Sequence, residues 1–215
     1  MSDHLSLKHN RILQDIREGY PTDIIRALIS ALEVKDYYIK GHSDAVARYA
    51  VAIARRLKIP PKEIEIIEAA AMLHDIGKIG ISENILNKPG KLDKEDWKEI
   101  KKHPEICLKI LNCINFPWDI KPIINAHHER YDGKGYPRGL KGDEIPLGAK
   151  IIAVVDTYDA MISDRAYRKS LDKEAVIKEL KRVAGTQLDP EIVKVFIEIL
   201  MTGKEEKLFK VSGVL

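Results

Sequence analysis

The stretch Leu73-His74-Asp75-Ile76-Gly77-Lys78-Ile79-Gly80 is the part of the sequence around which the rest is organised. A helical pattern over residues 63–73 ends here, so the imidazole of His74 and the carboxylate of Asp75 leave one helix end together. The two oxygens of an aspartate can bridge two cations, and Gly77 is expected to let the backbone turn away. A His-Asp pair is common by chance, so its meaning depends on the other residues of the chain.

Composition indicates a single soluble domain. The chain has 215 residues, of which 45% are hydrophobic and 32% charged, enough for a real core. Its 36 basic and 33 acidic residues give a mixed surface, which does not favour binding to a nucleic-acid polymer. No apolar run approaches the roughly 18 residues of a transmembrane helix, and residues 1–4 do not resemble a signal peptide. With two cysteines and no disulfide framework, we expect a cytoplasmic protein without membrane contact.

Hydrophobic periodicity predicts an all-α fold, a single-domain bundle of roughly eight or nine helices, because no period-two pattern persists long enough for a strand. Residues 1–20 are expected to form an N-terminal helix, residues 21–203 the domain, and residues 204–215 a tail. We predict Asp93 to cap one helix and residues 145–162 to form the most apolar one. The predicted helices cover residues 5–18, 21–32, 43–57, 63–73, 93–97, 103–111, 117–127, 145–162, 173–183 and 190–201.

Most candidate metal ligands lie at the ends of these elements. Any one histidine could be a surface or capping residue, but five of the seven lie at or next to a helix start, helix end or turn. Imidazole and carboxylate without thiolate suit Fe, Mn, Zn or Ni rather than a structural zinc site. Their number suits two ions, with Asp75 as the natural bridge. The candidates are His42, His74, Asp75, His103, His127, His128 and Asp156.

Together, several motifs closely resemble the HD-GYP domain phosphodiesterases. This bacterial branch of the HD phosphohydrolase superfamily hydrolyses cyclic di-GMP, and the resemblance covers residues 24–200. It implies a metal-dependent cyclic di-GMP phosphodiesterase giving linear pGpG, and possibly GMP. The motifs are His74-Asp75, His103-Pro104, His127-His128-Glu129, Asp132-Gly133-Lys134-Gly135-Tyr136-Pro137 and Asp156-Thr157-Tyr158-Asp159-Ala160.

The resemblance also implies a ligand set for two divalent ions, most simply Fe or Mn, with the native metal left open. Asp75 would bridge the ions. One ion would take His42, His74 and Asp156, and the other His103, His127 and His128.

Catalytic and substrate-binding roles are carried over in the same way. Lys78 matches a lysine expected to protonate the leaving 3′ oxygen or steady the phosphate, and Asp159, on the helix face of Asp156, could position Lys78. Arg165 and Arg168 match arginines that hold the ligand's phosphates. A straight helix would place Asp156 and Arg165 on opposite faces, so the helix must end or bend near residue 163.

Tyr136 has two open interpretations. Its ring could stack on guanine, or it could dock a partner protein, since diguanylate cyclase domains are partners of this region in the family. The N-terminal helix and the apolar tail could also support a homodimer.

Two departures from the family pattern bear on the site. Cys107 replaces the glycine expected four residues after His103, and it would either crowd the second ion or fill the core. Tyr38 stands where some relatives carry a glutamate that binds a third ion, which favours two ions here.

Two other functions stay open. One is hydrolysis of another cyclic dinucleotide, such as cyclic GMP-AMP, or of a different phosphoester. The other is a nucleotide-sensing or partner-docking module with little turnover.

Overall fold

A computed structural model describes residues 22–36, 40–114, 116, 119–163 and 170–202. Within these residues the chain forms ten α-helices, two short 3₁₀ helices at Ile76–Gly80 and Gly142–Glu144, and no strand. The predicted all-α fold is confirmed. The helices are α1 Thr22–Lys35, α2 His42–Arg56, α3 Pro61–Leu73, α4 Glu83–Leu86, α5 Lys94–Ile100, α6 His103–Leu111, α7 Lys121–Ala126, α8 Leu147–Ile162, α9 Lys173–Val183 and α10 Pro190–Met201.

Several helix starts are fixed by side chains or prolines that the sequence supplies. Asp93 forms a capping box, in which its carboxylate accepts from the amides of Glu95 and Asp96 while Asp96 accepts from the Asp93 amide. Asp172 and Asp189 are simple N-caps of α9 and α10, whose carboxylates accept from amides of the first turn. Prolines occupy the first turn of α3, α6, α7 and α10, where no amide partner is lost. The predicted cap at Asp93 is confirmed.

The core is built around α2, α3 and α8. Helix α2 packs on both of the others, and α8 buries most of its length, as the apolar pattern predicted. An aromatic cluster joins α2, α8 and α10, with the Tyr49 ring 5.3 Å from that of Tyr158 and 5.6 Å from that of Phe196 between centroids. These edge-to-face contacts hold the helices that carry His42 and Asp156 in a fixed relation.

Two boundaries differ from the prediction. The helix expected from residue 117 begins at Lys121, and the irregular stretch after residue 82 contains the single helical turn of α4. Helix α8 ends at Ile162, followed by Ser163 in an extended conformation (φ −93°, ψ 142°), so the expected end near residue 163 is confirmed.

Some predictions fall outside the described residues. These are the N-terminal helix over residues 1–20, the tail over residues 204–215, Tyr38, Arg165 and Arg168. The division into a helix, a domain and a tail therefore stays a prediction. In the part of the chain that the structure describes, no helix combines the length and apolar character needed to cross a bilayer.

Candidate metal centre

His74 and Asp75 lie in the interior of the protein, at the C-terminal end of helix α3. Both residues are buried, and the chain continues directly into the 3₁₀ helix. Gly77 is needed here for a reason other than the predicted turn. A Cβ at this position would lie 2.0 Å from the carbonyl oxygen of His103 and 2.6 Å from the amide nitrogen of Cys107. Gly77 therefore permits a close backbone approach of α6, which brings His103 next to Asp75.

Three of the histidines are oriented by the same kind of local hydrogen bond. The Nδ1 atoms of His74, His103 and His127 lie 2.7, 2.7 and 2.5 Å from the carbonyl oxygens of the residues three positions earlier. Donation from Nδ1 to a carbonyl leaves each Nε2 with a lone pair facing the interior. Burial lowers the pKa of His103 to about 4 and that of His127 to about 3, and it also lowers the pKa of His74. These rings are therefore neutral donors at neutral pH.

His42, the first residue of α2, is oriented by Asp159 instead. Its Nδ1 lies 2.6 Å from the Asp159 carboxylate, and its Nε2 faces His74 and Asp156. Burial disfavours the His42 cation, but the hydrogen bond to Asp159 and the charge of Asp156 outweigh burial and raise the pKa of His42. Asp159 thus has a different partner from the predicted one. It hydrogen-bonds His42 because α8 packs on α2, whereas Lys78 lies beside Asp75.

The donors form two groups that meet at Asp75. His42, His74 and Asp156 offer ligand atoms within 4.8 Å of one another, as do Asp75, His103, His127 and His128. Asp75 Oδ1 lies 3.4 Å from His103 Nε2, and Oδ2 lies 3.5 Å from His74 Nε2. One oxygen of Asp75 therefore faces each group, as expected of a bridging carboxylate.

Two observations show that cations fit these groups. Asp75 Oδ1 is buried and has no hydrogen-bond partner, which is costly for a carboxylate oxygen unless a cation is nearby. The Nε2 atoms of His103 and His127 lie 3.2 Å apart although both rings donate through Nδ1. Two nitrogen lone pairs at this distance repel unless a cation lies between them. The all-imidazole and carboxylate chemistry suits Fe, Mn, Zn or Ni.

His128 completes the second group, and its ring contacts the predicted substrate residue Tyr136. The two rings stack with centroids 4.9 Å apart and planes 28° apart, and Lys101 Nζ lies 5.2 Å from the Tyr136 centroid. Burial, with Asp75 and Asp156 nearby, raises the pKa of the Tyr136 hydroxyl. The structure therefore places Tyr136 against a candidate metal-ligand histidine, on the wall of the site.

The loop that carries Tyr136 is fixed by Glu129, to which sequence reasoning assigned no role. Glu129 is buried, and its two carboxylate oxygens accept from the amides of Arg138, at 2.7 Å, and Leu140, at 3.1 Å. A Cβ at Gly135 would lie 2.3 Å from the amide nitrogen of Arg130, so only glycine permits this fold of the loop. The only sequence signal for Glu129 was its position directly after two candidate ligands.

Lys78 lies at the centre of the site. Its Nζ is 2.6 Å from Asp75 Oδ2. Burial disfavours the Lys78 ammonium, but the charge and hydrogen bond of Asp75 prevail and raise its pKa. Asp36, which sequence reasoning missed, is buried on the cleft wall, and its negative charge also raises the pKa of Lys78. Lys78 is therefore a cation at neutral pH.

Cys107 fills the core beside the candidate metal ligands. It is fully buried, its sulfur accepts from the Gly77 amide at 3.0 Å, and its thiol donates to the carbonyl of His74 at 3.1 Å. Burial raises the pKa of the thiol to about 12. Of the two predicted possibilities, this geometry matches the core-filling one, because the sulfur is hydrogen-bonded to backbone.

The donor groups open into one cleft with a volume of about 810 Å³. Four lysines and Arg130 line its walls together with five acidic residues, so the cleft would favour an anionic ligand once cations occupy the donor groups. The four lysines are Lys78, Lys88, Lys101 and Lys134, and the side chains of Asp36, Trp97 and Tyr136 also line the cleft.

Comparison with known proteins identifies the family of the chain. A model of the HD domain family matches residues 26–192. The chain belongs to the HD domain family. Its HD motif is the His74-Asp75 pair at the centre of the site, and the predicted resemblance to HD-GYP proteins is confirmed by the relatives.

Three curated relatives that share this HD domain are named for two different cyclic dinucleotides. The chain is 38% identical over 81% of its length to 3′3′-cGAMP-specific phosphodiesterase 3 of Vibrio cholerae. It is 37% identical over 85% of its length to a cyclic di-GMP phosphodiesterase of Thermotoga maritima. It is 38% identical over 80% of its length to the cyclic di-GMP phosphodiesterase response regulator RpfG of Xanthomonas campestris. It spans 38%, 50% and 46% of these three relatives.

Two solved structures share the fold. An HDG"Y"P protein from Bdellovibrio bacteriovorus matches with a TM-score of 0.62 at 24% identity, over 76% of this chain and 52% of that one. A cyclic GMP-AMP specific phosphodiesterase of V. cholerae matches with a TM-score of 0.69 at 16% identity, over 89% of this chain and 53% of that one.

Proposed function

We propose that this protein is a metal-dependent phosphodiesterase that hydrolyses cyclic di-GMP to linear pGpG, and possibly on to GMP. The observation that carries the proposal is the buried Asp75, with one oxygen facing each donor group at the base of a lysine-lined cleft. Relatives named cyclic di-GMP phosphodiesterases support the substrate.

We infer two divalent ions, Fe or Mn, as the cofactors. One would be held by His42, His74 and Asp156, the other by His103, His127 and His128, with Asp75 shared. When bound, such a pair of ions lowers the pKa of a water molecule and stabilises negative charge on the phosphate.

The protein's own residues supply orientation and a proton. In the proposed reaction a water molecule releases a proton to solvent and its oxygen bonds to phosphorus. The bond from phosphorus to the 3′ oxygen breaks, and Lys78 protonates that oxygen and then regains a proton from solvent. The raised pKa of Lys78 keeps this proton available at neutral pH. Asp159 holds His42 in place through Nδ1, and Arg165 and Arg168 are proposed to bind the phosphates.

The test is metal content and cyclic di-GMP turnover, measured on the same anaerobically purified sample. We expect about two equivalents of Fe or Mn per chain and turnover that Asp75→Ala abolishes. Asp143→Ala is the matched control, because Asp143 is a fully exposed acid that belongs to neither donor group, and it should keep both metal and activity. Two bound metals and tight nucleotide binding without turnover would refute the enzymatic proposal in favour of a sensing module.

Cyclic GMP-AMP is the second candidate substrate, because relatives named as specific for it are as similar as those named for cyclic di-GMP. The two are separated by comparing kcat/KM on one enzyme preparation. We expect the higher value for cyclic di-GMP, and the reverse order would transfer the proposal to cyclic GMP-AMP.

We also propose a cellular location and protein partners. A second messenger substrate supports a cytoplasmic enzyme, and the loop of residues 131–137 is the proposed docking site for diguanylate cyclase domains. Homodimer formation through residues 1–20 and 204–215 is proposed as well. Light scattering of the full chain and of a chain lacking both segments tests the homodimer.

A further inference from the structure

Trp97 is an exposed aromatic side chain on the rim of the cleft. Among the described residues, four large apolar side chains are exposed, namely those of Val34, Trp97, Leu147 and Met201. Of these four, Trp97 alone lines the cleft, and 48% of it is exposed to solvent. An indole left half in water at the mouth of a binding cleft is typical of a ligand-contacting residue.

The backbone around Trp97 is held in a fixed position. Trp97 lies directly after the Asp93–Asp96 capping box, and its amide donates to the Asp93 carbonyl at 3.1 Å. Lys88, on the facing loop, pairs with Asp93 at 3.0 Å and also with Asp96. These bonds restrict the helix start relative to the loop, so a ligand would not have to order the backbone that carries Trp97.

A backbone hydrogen bond and two side-chain contacts connect Trp97 with the second donor group. Lys101 follows one turn later, and its amide donates to the Trp97 carbonyl at 3.0 Å. Lys101 Nζ lies over the ring of Tyr136, which stacks on His128. Trp97 is therefore on the same wall as the second donor group, displaced toward the rim.

Tyr136 is less suited than Trp97 to receive a base. Its ring already stacks on His128 and has the ammonium group of Lys101 above it, and it is partly buried. A cyclic dinucleotide with one phosphodiester at the metal centre has purine bases on either side of that phosphate. One base can then extend toward the rim, where indole offers the large aromatic face that stacks well on purines.

We propose that Trp97 forms a stacking subsite for one purine base of the cyclic dinucleotide, at the rim of the cleft. This rests on the proposed function, since the phosphodiester at the metal centre places the base. Trp97 binds substrate in this proposal and takes no part in bond cleavage.

The first test is steady-state kinetics of the full chain with cyclic di-GMP and Mn²⁺. We expect Trp97→Ala to raise KM about tenfold, with a smaller change in kcat. This is the loss of affinity that removing one base–aromatic stack causes in proteins that bind single-stranded nucleic acids. Trp97→Phe should recover most of the loss because it restores an aromatic face. Met201→Ala is the matched control, an exposed apolar residue that does not line the cleft, and it should have no effect.

The second test is direct binding. The sequence has two tryptophans, so Trp118→Phe leaves Trp97 as the only indole. A phosphorothioate analogue of cyclic di-GMP should quench its fluorescence, and ribose 5-phosphate, which lacks a base, should not.

The outcomes separate the two proposals. If the wild type hydrolyses cyclic di-GMP and Trp97→Ala has the KM of wild type, the stacking subsite is refuted and the phosphodiesterase stands. If the wild type shows no turnover, the phosphodiesterase is refuted, and calorimetry with cyclic di-GMP and cyclic GMP-AMP decides the subsite. Binding that Trp97→Ala weakens about tenfold would support the subsite, whereas no binding, or binding indifferent to Trp97, would refute it.

Discussion

Gly77→Ala is the sharpest test of how the donor groups are brought together. The added Cβ would lie 2.0 Å from the His103 carbonyl oxygen, and real Cβ atoms essentially never approach another atom closer than 3.0 Å. The two backbones must therefore separate by about 1 Å, since neither contact is with a flexible side chain. The cost lies at the upper end of the range for overpacking, about 3 kcal/mol.

The consequences are measurable in stability and in metal binding. For a chain of this length, about 3 kcal/mol lowers Tm by roughly 6–12 °C, measured on chelator-treated protein so that metal loss does not contribute. A shift of about 1 Å also exceeds the tolerance of metal–nitrogen bonds, so we expect His103 to be lost as a ligand. Turnover should fall about 100-fold.

Gly80→Ala is the matched control in the same 3₁₀ helix. Its Cβ would meet two side-chain carbons of Ile106 at 3.0 Å, and that side chain can move. We expect a cost of about 1 kcal/mol or less with metal content preserved. If Gly77→Ala melts within about 2 °C of wild type and keeps its metal, the inferred close approach of α6 is incorrect.

Three further variants or measurements test other parts of the site. Asp159→Asn should lower metal affinity about 10–100-fold in chelator competition, because His42 loses a charged orienting partner, and unchanged affinity would contradict that role. Glu129→Gln should destabilise by about 2 kcal/mol in urea denaturation, since an amide cannot accept from both backbone N–H groups, and a wild-type midpoint would argue against it. At pH 8 a thiol reagent should label one cysteine per folded chain and two after denaturation. Cys113 is exposed, whereas burial raises the pKa of Cys107 to about 12, and labelling of both in the folded state would count against the buried thiol.

The sequence by itself determined most of the helices and all seven ligand candidates. Helix α9 and helix α10 match the predicted bounds, because apolar spacing and caps such as Asp172 act within a few residues. The five histidines and Asp75 could be found because each lies at or next to a helix start or end, whereas Asp156 lies inside α8 and was found through the family motif. Their joint occurrence carried the resemblance to HD-GYP proteins.

The tertiary structure decided which of these residues meet. Asp159 is 117 positions from the histidine that it orients, and Gly77 is required by a helix that begins 26 residues later. Trp97 could have been core or surface from its helical spacing, and only the packing of α5 places it on the cleft rim. Periodicity reports which face of a helix is apolar, whereas contacts between distant elements depend on how those faces pack, which no local pattern encodes.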